Sequence, residues 1–195
     1  ISAGTGAVTE DVSVSAGRIA TGGTLTVTDT DSGEAAFQAQ ASTAGTYGTF
    51  TLNAAGAWTY SALNANPAIQ ALGAGDTLTE TFTVRSVDGT TSTVVVTING
   101  TNDTAVISAG TGAVTEDVSV SAGRIATGGT LTVTDSDSGE AAFQPQASTA
   151  GTYGTFTLAA DGTWTYSALN ANPAIQAFGT GDTPTETFTV RSVDG

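Results

Sequence analysis

The chain repeats itself with a period of 106 residues. The run "ISAGTGAVTEDVSVSAG" begins at Ile1 and begins again at Ile107, and eight positions differ among the 89 that can be compared. The repeating unit of a solenoid is much shorter than this period, whereas one small globular domain is about this long. The sequence therefore predicts two tandem domains, residues 1–103 and residues 104–195.

Each repeat alternates apolar and polar residues over short runs with turn residues between them, which is typical of β-strands. "TYGTFTL" and "AWTYSA" predict a β-hairpin whose Phe50, Leu52, Trp58 and Tyr60 face inward. The other predicted strands of the first repeat are marked by Val8, Val12 and Val14, by Leu25 and Val27, by Phe37, by "LTETFTVRSV" and by "TSTVVVTI". About seven strands in roughly 100 residues predict an all-β fold, an immunoglobulin-like Greek-key β-sandwich, in each repeat.

Prolines mark the ends of several predicted elements. Asn66 followed by Pro67 predicts one short helical turn with an asparagine cap. Pro145 and Pro184 replace an alanine and a leucine of the first repeat, and proline is tolerated only on edge strands or at strand starts. We therefore expect the third strand to lie on a sheet edge and the long strand to begin near Thr79.

The last predicted strand is present in one repeat only. The first repeat closes with "TTSTVVVTING", and no counterpart follows Gly195. If Val94, Val96 and Ile98 fill the centre of the first core, the second repeat lacks that strand and exposes a sheet edge. We expect the natural chain to continue beyond Gly195.

The composition excludes several classes of function. The chain has 18 Asp and Glu residues against four basic ones, a net charge of −14, and no Cys, His or Met. Disulfides, thiolate nucleophiles, zinc or haem sites and histidine-based acid–base catalysis are therefore excluded. An acidic surface repels nucleic acid and anionic lipid but suits cations. The longest apolar run, Val94 to Val96, is too short for insertion into a membrane.

One acidic stretch, "TVTDTDSGE" from Thr26 to Glu34, recurs as "TVTDSDSGE" from Thr132 to Glu140. Alternate Asp residues with a nearby Gly and Glu are similar to part of a calcium-binding loop, since calcium takes six to eight hard oxygens. Asp and Gly are also common in solvated turns that bind nothing. The spacing alone leaves both interpretations open.

The sequence resembles a known family along nearly its whole length. "GTYGTFTLNAAGAWTYSAL" and "DTLTETFTVRSVDGTTSTVVVTINGTND" closely resemble the VCBS repeat, a module of very large, RTX-type bacterial surface adhesins. The resemblance implies a tandem, calcium-rich array of immunoglobulin-like domains. It also implies type I secretion to the extracellular bacterial surface and a role in attachment or biofilm formation. Such arrays usually extend a distal binding domain away from the cell.

Acidic residues near the boundary between the repeats extend the candidate calcium (Ca²⁺) site. A sandwich places the final residues of one repeat against the opening loops of the next, so we expect these groups to converge. Asp76, Glu80, Asp182 and Glu186 are interpreted as surface charge. Asp88 and Asp194 lie in "VDG" turns, where Asp is more often a turn former than a ligand, and a ligand role stays open for both. The candidate ligands are Glu10, Asp11, Asp29, Asp31, Glu34, Asp88, Asn102, Asp103, Glu116, Asp117, Asp135, Asp137 and Glu140.

Two non-enzymatic functions remain. Paired carboxylates serve glycosidases, but loops this short build no deep cleft, so we expect no enzyme. The chain could be an extender that contacts only neighbouring repeats of the same chain, as a monomer. Alternatively, each repeat could bind a glycan or a protein on an exposed strand edge. A binding module tends to carry a long loop or an exposed aromatic cluster. Neither is evident, and the extender is favoured.

Overall fold

Strand pairing in the first half of the chain builds two facing sheets. The computed structural model describes residues 1–195, and the chain divides into two compact units, unit 1 (Ile1–Asp103) and unit 2 (Thr104–Gly195). The elements of unit 1 are β1 Gly4–Thr9, β2 Arg18–Thr24, β3 Gln40–Ala44, β4 Gly48–Leu52, β5 Ala57–Leu63, α1 Pro67–Gln70, β6 Thr77–Arg85 and β7 Thr91–Asn99. One sheet has the order β2-β5-β4-β3 and the other β1-β7-β6, with β1 parallel to β7. The predicted all-β, immunoglobulin-like sandwich is confirmed.

The core of unit 1 lies between these two sheets. Phe50 of β4 stacks on Phe82 of β6 with ring centroids 4.7 Å apart, and Trp58 of β5 is buried beside them. Val94 and Val96 from the central strand β7 have no exposed surface. The predicted β4–β5 hairpin is confirmed, because alternate residues of both strands point into this core.

The short helix α1 closes one end of the fold. The side chain of Asn66 accepts a hydrogen bond of 3.0 Å from the amide of Ala68, and Pro67 occupies the first turn. Ile69 of this helix is fully buried. The predicted helical turn and its asparagine cap are confirmed. Helix α1 is four residues long, and no helix of the chain is long and apolar enough to cross a membrane.

Unit 2 repeats the four-stranded sheet but not the three-stranded one. Its elements are β8 Val106–Ile107, β9 Arg124–Thr130, β10 Val133–Thr134, β11 Gln146–Ala150, β12 Gly154–Leu158, β13 Thr163–Leu169 and α2 Pro173–Gln176. The sheet order is β11-β12-β13-β9, with β10 paired to β8 in a separate small sheet. The segments 110–115 and 183–191, which match β1 and β6 in sequence, are not strands.

The predicted extents of two strands of unit 1 are wrong. Val12 and Val14 lie in an exposed loop rather than in the first strand, which ends at Thr9. Asp11 and Ser13 have φ values of 56° and 55°, a left-handed conformation that interrupts extended backbone. Leu25 and Val27 likewise follow the second strand, which ends at Thr24, although Leu25 is buried.

The edge position predicted for the third strand is confirmed. Phe37 itself forms only an isolated bridge to Ser86, and the strand β3 begins three residues later. Strand β3 is the outer strand of its sheet, and Pro145 directly precedes its counterpart β11. The long strand β6 begins at Thr77, two residues before the predicted position.

Candidate metal centre

Three carboxylates meet in unit 2. One oxygen from each of Asp135, Glu140 and Asp194 lies within 4.8 Å of the other two. Asp135 directly follows β10, and Asp194 belongs to a loop that is distant in sequence. An isolated bridge between Phe143 and Ser192 joins the two loops. The amide of Val193 also donates to the carbonyl of Ala142 at 3.0 Å, which holds Asp194 beside the acidic turn.

Local hydrogen bonds fix the shape of this acidic turn. Asp135 Oδ1 accepts a bond of 2.8 Å from the amide of Asp137, a local Asx-type turn. The amide of Glu140 donates to the carbonyl of Asp137 at 3.3 Å. Gly139 between them has a φ of 89°, a conformation that glycine adopts without steric cost. The turn formed by "DSDSGE" therefore brings the carboxylates of Asp135 and Glu140 close together.

The second oxygen of Asp135 is the atom of this cluster that most needs a counter-charge. Asp135 Oδ2 is buried and has no hydrogen-bond partner. The neighbouring Asp137 is only 3% exposed. A carboxylate oxygen removed from water without a hydrogen bond or counter-charge costs several kcal/mol, which a bound cation offsets. The donor set is all oxygen and carries at least three negative charges, which fits a hard divalent cation.

Unit 1 contains a corresponding cluster with partly different members. Asp29, Asp31 and Glu34 each place one oxygen within 4.8 Å of the others. Asp29 Oδ1 accepts from the amide of Asp31 at 2.9 Å, as in unit 2. Asp31 is exposed, whereas its equivalent Asp137 is buried. The unit 1 cluster is therefore the more solvated of the two.

Asp88 acts in unit 1 as a turn acceptor. Its carboxylate accepts hydrogen bonds from the Ser86 hydroxyl and, at 3.0 Å, from the Thr90 hydroxyl. These bonds, that of Ser86 first, hold the pKa of Asp88 below its ordinary value. Its equivalent in unit 2 is Asp194, which joins the carboxylate cluster instead. Asp194 was not among the predicted candidate ligands, although its equivalence to Asp88 was a usable signal.

Glu10 and Asp11 lie away from the cluster that they were predicted to join. The amide of Ser2, just before β1, donates to the carbonyl of Thr26, whereas the amide of Glu10, just after β1, donates to that of Asn99. The six residues of β1 span about 20 Å between these two points. The five carboxylates predicted as one cluster therefore lie in two groups at opposite ends of unit 1.

The contacts of Glu10 and Asp11 are internal to unit 1. Glu10 is 1% exposed, and its Oε1 accepts from the amide of Thr101 at 2.9 Å. Asp11 Oδ1 accepts from the side-chain amide of Asn64 at 2.6 Å. Both carboxylates are thus held by hydrogen bonds, the first to the residues that follow β7 and the second to the loop before α1.

The equivalent residues of unit 2 share part of this pattern. Asp117 Oδ1 accepts from the side-chain amide of Asn170 at 2.7 Å. Glu116 Oε2 is buried without a hydrogen-bond partner. Asn102 donates to the carbonyl of Asp103 at 2.8 Å, at the end of unit 1. The approach of Asn102 and Asp103 to the acids of unit 2 stays a prediction.

Glu80 is not surface charge, and that prediction is wrong. Glu80 is 6% exposed; its Oε2 accepts from the Tyr60 hydroxyl at 2.5 Å and its Oε1 from the amide of Tyr47 at 3.1 Å. Burial and this bond raise the pKa of Tyr60 well above its ordinary value. In unit 2, Glu186 accepts from Tyr166 in the same way. Hydrogen bonds occupy both oxygens of Glu80, so this acid serves the core rather than a cation.

The tryptophans are core residues, as predicted. Trp58 is 3% exposed and Trp164 is 8% exposed. Phe50 stacks on the first and Phe156 on the second, with ring centroids 5.9 and 6.1 Å apart. Neither indole offers a face on which a sugar ring could stack. The acidic clusters are therefore the candidate sites that this structure offers.

Comparison with known proteins finds a family match in each repeat. The model of the family described as "bacterial cadherin-like domain" matches twice, over residues 1–100 and residues 102–195. The two matches together span nearly the entire sequence and follow the internal repeat. No curated protein gives a significant match to the chain.

Proposed function

We propose that this chain, which belongs to the family of bacterial cadherin-like domains along both of its repeats, is a calcium-stiffened extender of a large surface adhesin. The cadherin-like repeat is a structural, non-catalytic fold, and domains of this family are typically extracellular. The observation that carries the calcium part of the proposal is the buried, unpartnered Oδ2 of Asp135 beside two further carboxylates.

The geometry of the unit 2 cluster suits calcium. Two oxygens that each lie about 2.4 Å from one ion can be at most about 4.8 Å apart. The oxygens of Asp135, Glu140 and Asp194 meet that limit. Asp137 is buried and its amide donates to Asp135, so it is a fourth candidate ligand. Magnesium suits this set less well, because it demands tight octahedral geometry and retains its waters.

The first cluster and the linker would take part as well. Asp29, Asp31 and Glu34 would hold a second ion in unit 1, more weakly because Asp31 is exposed. Asn102 and Asp103 directly precede unit 2 in the sequence and would supply further oxygens there. Bound calcium supplies positive charge and a fixed coordination geometry. The linker is rich in Gly, Asn and Thr, which alone make a flexible tether, so these ligands would convert it into a rigid connection.

The biological setting follows from the resemblance and the family together. A chain of near-identical, acidic repeats without a catalytic site extends its parent protein in proportion to the number of repeats. The VCBS-like motifs support a place in an RTX-type adhesin that leaves the cell by type I secretion and acts in biofilm formation. The parent protein would use the length to carry a distal binding domain away from the bacterial surface.

Calcium titration of paired variants tests this function. Asp135→Asn removes the negative charge but keeps an Oδ1 acceptor for the amide of Asp137. Asp161→Asn is the matched control, because Asp161 accepts from the amide of Thr163 at 2.9 Å in an exposed turn outside the cluster. We expect calorimetry to show calcium binding that Asp135→Asn weakens and Asp161→Asn leaves unchanged. A wild-type chain that takes up no calcium, or equal effects of both variants, would contradict the proposal.

A further inference from the structure

Strand β7 of unit 1 ends at the one Asn–Gly step of the 195 residues, Asn99–Gly100. Asparagine is a chemically labile residue, and it reacts fastest before glycine, because no Cβ shields the backbone nitrogen that follows it. That nitrogen attacks the side-chain carbonyl carbon of the asparagine, and ammonia leaves. The sequence therefore places a site for spontaneous deamidation at the end of β7.

The fold of unit 1 requires both residues of this step. A Cβ added to Gly100 would lie 2.4 Å from the carbonyl oxygens of Leu72 and Gly73, which follow the helix α1. A contact that short would push the backbone apart, so glycine is the residue that fits. Asn99 in turn donates its side-chain amide to the carbonyl of Val8 at 3.1 Å. Packing at one residue and hydrogen bonding at the other thus bring the reactive pair together.

The attacking nitrogen is engaged in the folded structure. The amide of Gly100 donates to the carbonyl of Asp76 at 2.9 Å, and it must give up this proton before it can attack. Asn99 is also paired with Thr9 of β1 on one side and with Thr77 of β6 on the other. Closing a ring between Gly100 N and Asn99 Cγ requires a rotation about the Asn99 backbone. Extended backbone that is held between two strands does not allow that rotation.

The leaving group and the flanking backbone are held as well. Nδ2 of Asn99, the atom that would leave as ammonia, donates to the carbonyl of Val8 and, at 3.5 Å, to the hydroxyl of Thr9. The amide of Glu10 donates to the carbonyl of Asn99 at 3.0 Å. The amide of Thr101 donates to Oε1 of Glu10 at 2.9 Å, and Glu10 is only 1% exposed. The segment 99–101 is therefore tied to the end of β1.

We propose that Asn99 is a deamidation site that reacts only when this end of unit 1 opens locally. In the open state, Gly100 N bonds to Asn99 Cγ and the Cγ–Nδ2 bond breaks. Nδ2 leaves as ammonia with the proton of the Gly100 amide, which leaves a cyclic imide. Water then opens the imide at either carbonyl, its hydroxyl going to the carbon and its proton to the ring nitrogen. The product is aspartate or isoaspartate at position 99, and solvent water is the sole co-reactant.

The reaction makes a transient opening permanent. Aspartate at position 99 has no Nδ2, so the carbonyl of Val8 loses its donor and faces a carboxylate instead. Isoaspartate also inserts a methylene group into the main chain before Gly100, which shifts the amide that bonds Asp76. Neither product restores the native hydrogen bonds, so the modified end closes less stably than the original one.

The rate of the reaction tests the proposal in the 195-residue chain, with chelator present so that calcium plays no part. The folded chain and the same chain in guanidinium chloride are incubated side by side at mildly alkaline pH. Trypsin releases residues 86–124 as one peptide, in which fragmentation by mass spectrometry distinguishes Asn99 from Asn102. We expect deamidation of Asn99 to be at least about tenfold slower in the folded chain, because it waits for local opening. Equal rates, or no reaction in the unfolded chain, overturn the proposal.

A pair of variants tests whether the opening is local. Glu10→Ala removes the acceptor of the Thr101 amide beside the reactive step. Ser2→Ala is the matched control, because it removes the acceptor of the Thr26 amide, 2.9 Å away, at the opposite end of β1. Circular dichroism verifies that both variants are folded. Glu10→Ala should speed the deamidation of Asn99 several-fold, whereas Ser2→Ala should react as the wild type does. Equal rates in the two variants overturn local opening as the rate-limiting event.

Asn99→Asp tests the irreversible step, because it is the product itself. Asn102→Asp is the matched control, since it adds the same charge where the side chain donates only to the carbonyl of the adjacent Asp103, at 2.8 Å. In chelator, we expect Asn99→Asp to melt about 4 °C or more below the wild type, owing to the lost hydrogen bond. Asn102→Asp should melt as the wild type does. Equal melting temperatures of the two variants would show that deamidation leaves this end intact, which overturns the permanent opening.

Discussion

The hydroxyl of Tyr60 donates a hydrogen bond of 2.5 Å to Oε2 of the buried Glu80. The pair joins the two sheets of unit 1, since Tyr60 lies on β5 and Glu80 on β6. Replacing Tyr60 by Phe removes the donor and leaves a buried carboxylate oxygen without its partner. We expect Tyr60→Phe to lower the free energy of unfolding by about 1–3 kcal/mol in urea titrations. Tyr166→Phe is the matched variant and should cost less, because Tyr166 is more exposed. A larger loss for Tyr166→Phe would contradict this account.

The same bond predicts how stability depends on alkaline pH. Burial and the hydrogen bond to Glu80 raise the pKa of Tyr60 above the ordinary value of 10.0. Above about pH 10 the unfolded chain therefore loses a proton that the folded chain keeps, and stability falls as pH rises. Below that pH the tyrosine contributes no slope. Urea unfolding at about pH 9 and pH 11 should show the fall, and Tyr60→Phe should reduce it. Unchanged or rising stability over this interval would contradict the prediction.

Replacing the hairpin glycine Gly56 is predicted to lower the stability of unit 1 strongly. Its φ is 89°, and an added Cβ would lie 2.4 Å from the carbonyl oxygen of Leu25. Gly75 is the matched control, because its φ is 92° and a Cβ there would meet nothing within 4 Å. Gly75→Ala should cost about 1–2 kcal/mol for the left-handed backbone alone. Gly56→Ala should cost about 1–3 kcal/mol more, because the backbone must shift. Equal losses in urea unfolding would show that the contact with Leu25 does not matter.

The tryptophans should differ in their contribution to stability. Trp58→Ala removes a buried side chain from the single core of unit 1 and should cost about 3–5 kcal/mol. Trp164→Ala should cost less, because the core of unit 2 is divided and this indole is more exposed. Denaturant unfolding of each variant, followed by far-ultraviolet circular dichroism, measures both losses. An equal cost would show that the core of unit 2 is as complete as that of unit 1.

Local alternation predicted some strands well and others badly, for a physical reason. It located the β4–β5 hairpin because Trp58 and Tyr60 each point into a core that covers one face. It failed at Val12, where the adjacent Asp11 has a left-handed backbone and donates its amide to the side chain of Asn64 at 2.9 Å. That partner is 53 residues away, and a local pattern carries no information about it.

The candidate site was likewise predictable only in part. Asp29, Asp31 and Glu34 meet within one short turn, so their spacing was sufficient to group them. The position of Asp194 depends on a bridge between distant loops, which spacing does not show. The burial of Glu80, in contrast, was predictable from the sequence. It lies two residues before Phe82 and four before Val84, on the inward face that alternation predicts for this strand.

Small-angle scattering of the 195-residue chain in calcium and in chelator tests the central claim most directly, with thermal melting of the same samples. With calcium, we expect the chain to occupy a narrower range of molecular dimensions. We also expect a higher melting temperature, because calcium at a hundredfold excess over its Kd stabilises the folded chain by about 2.7 kcal/mol. Chelator should reverse both effects, and Asp135→Asn should respond less than Asp161→Asn. Identical scattering profiles and identical melting temperatures with and without calcium would contradict the claim that calcium stiffens this chain.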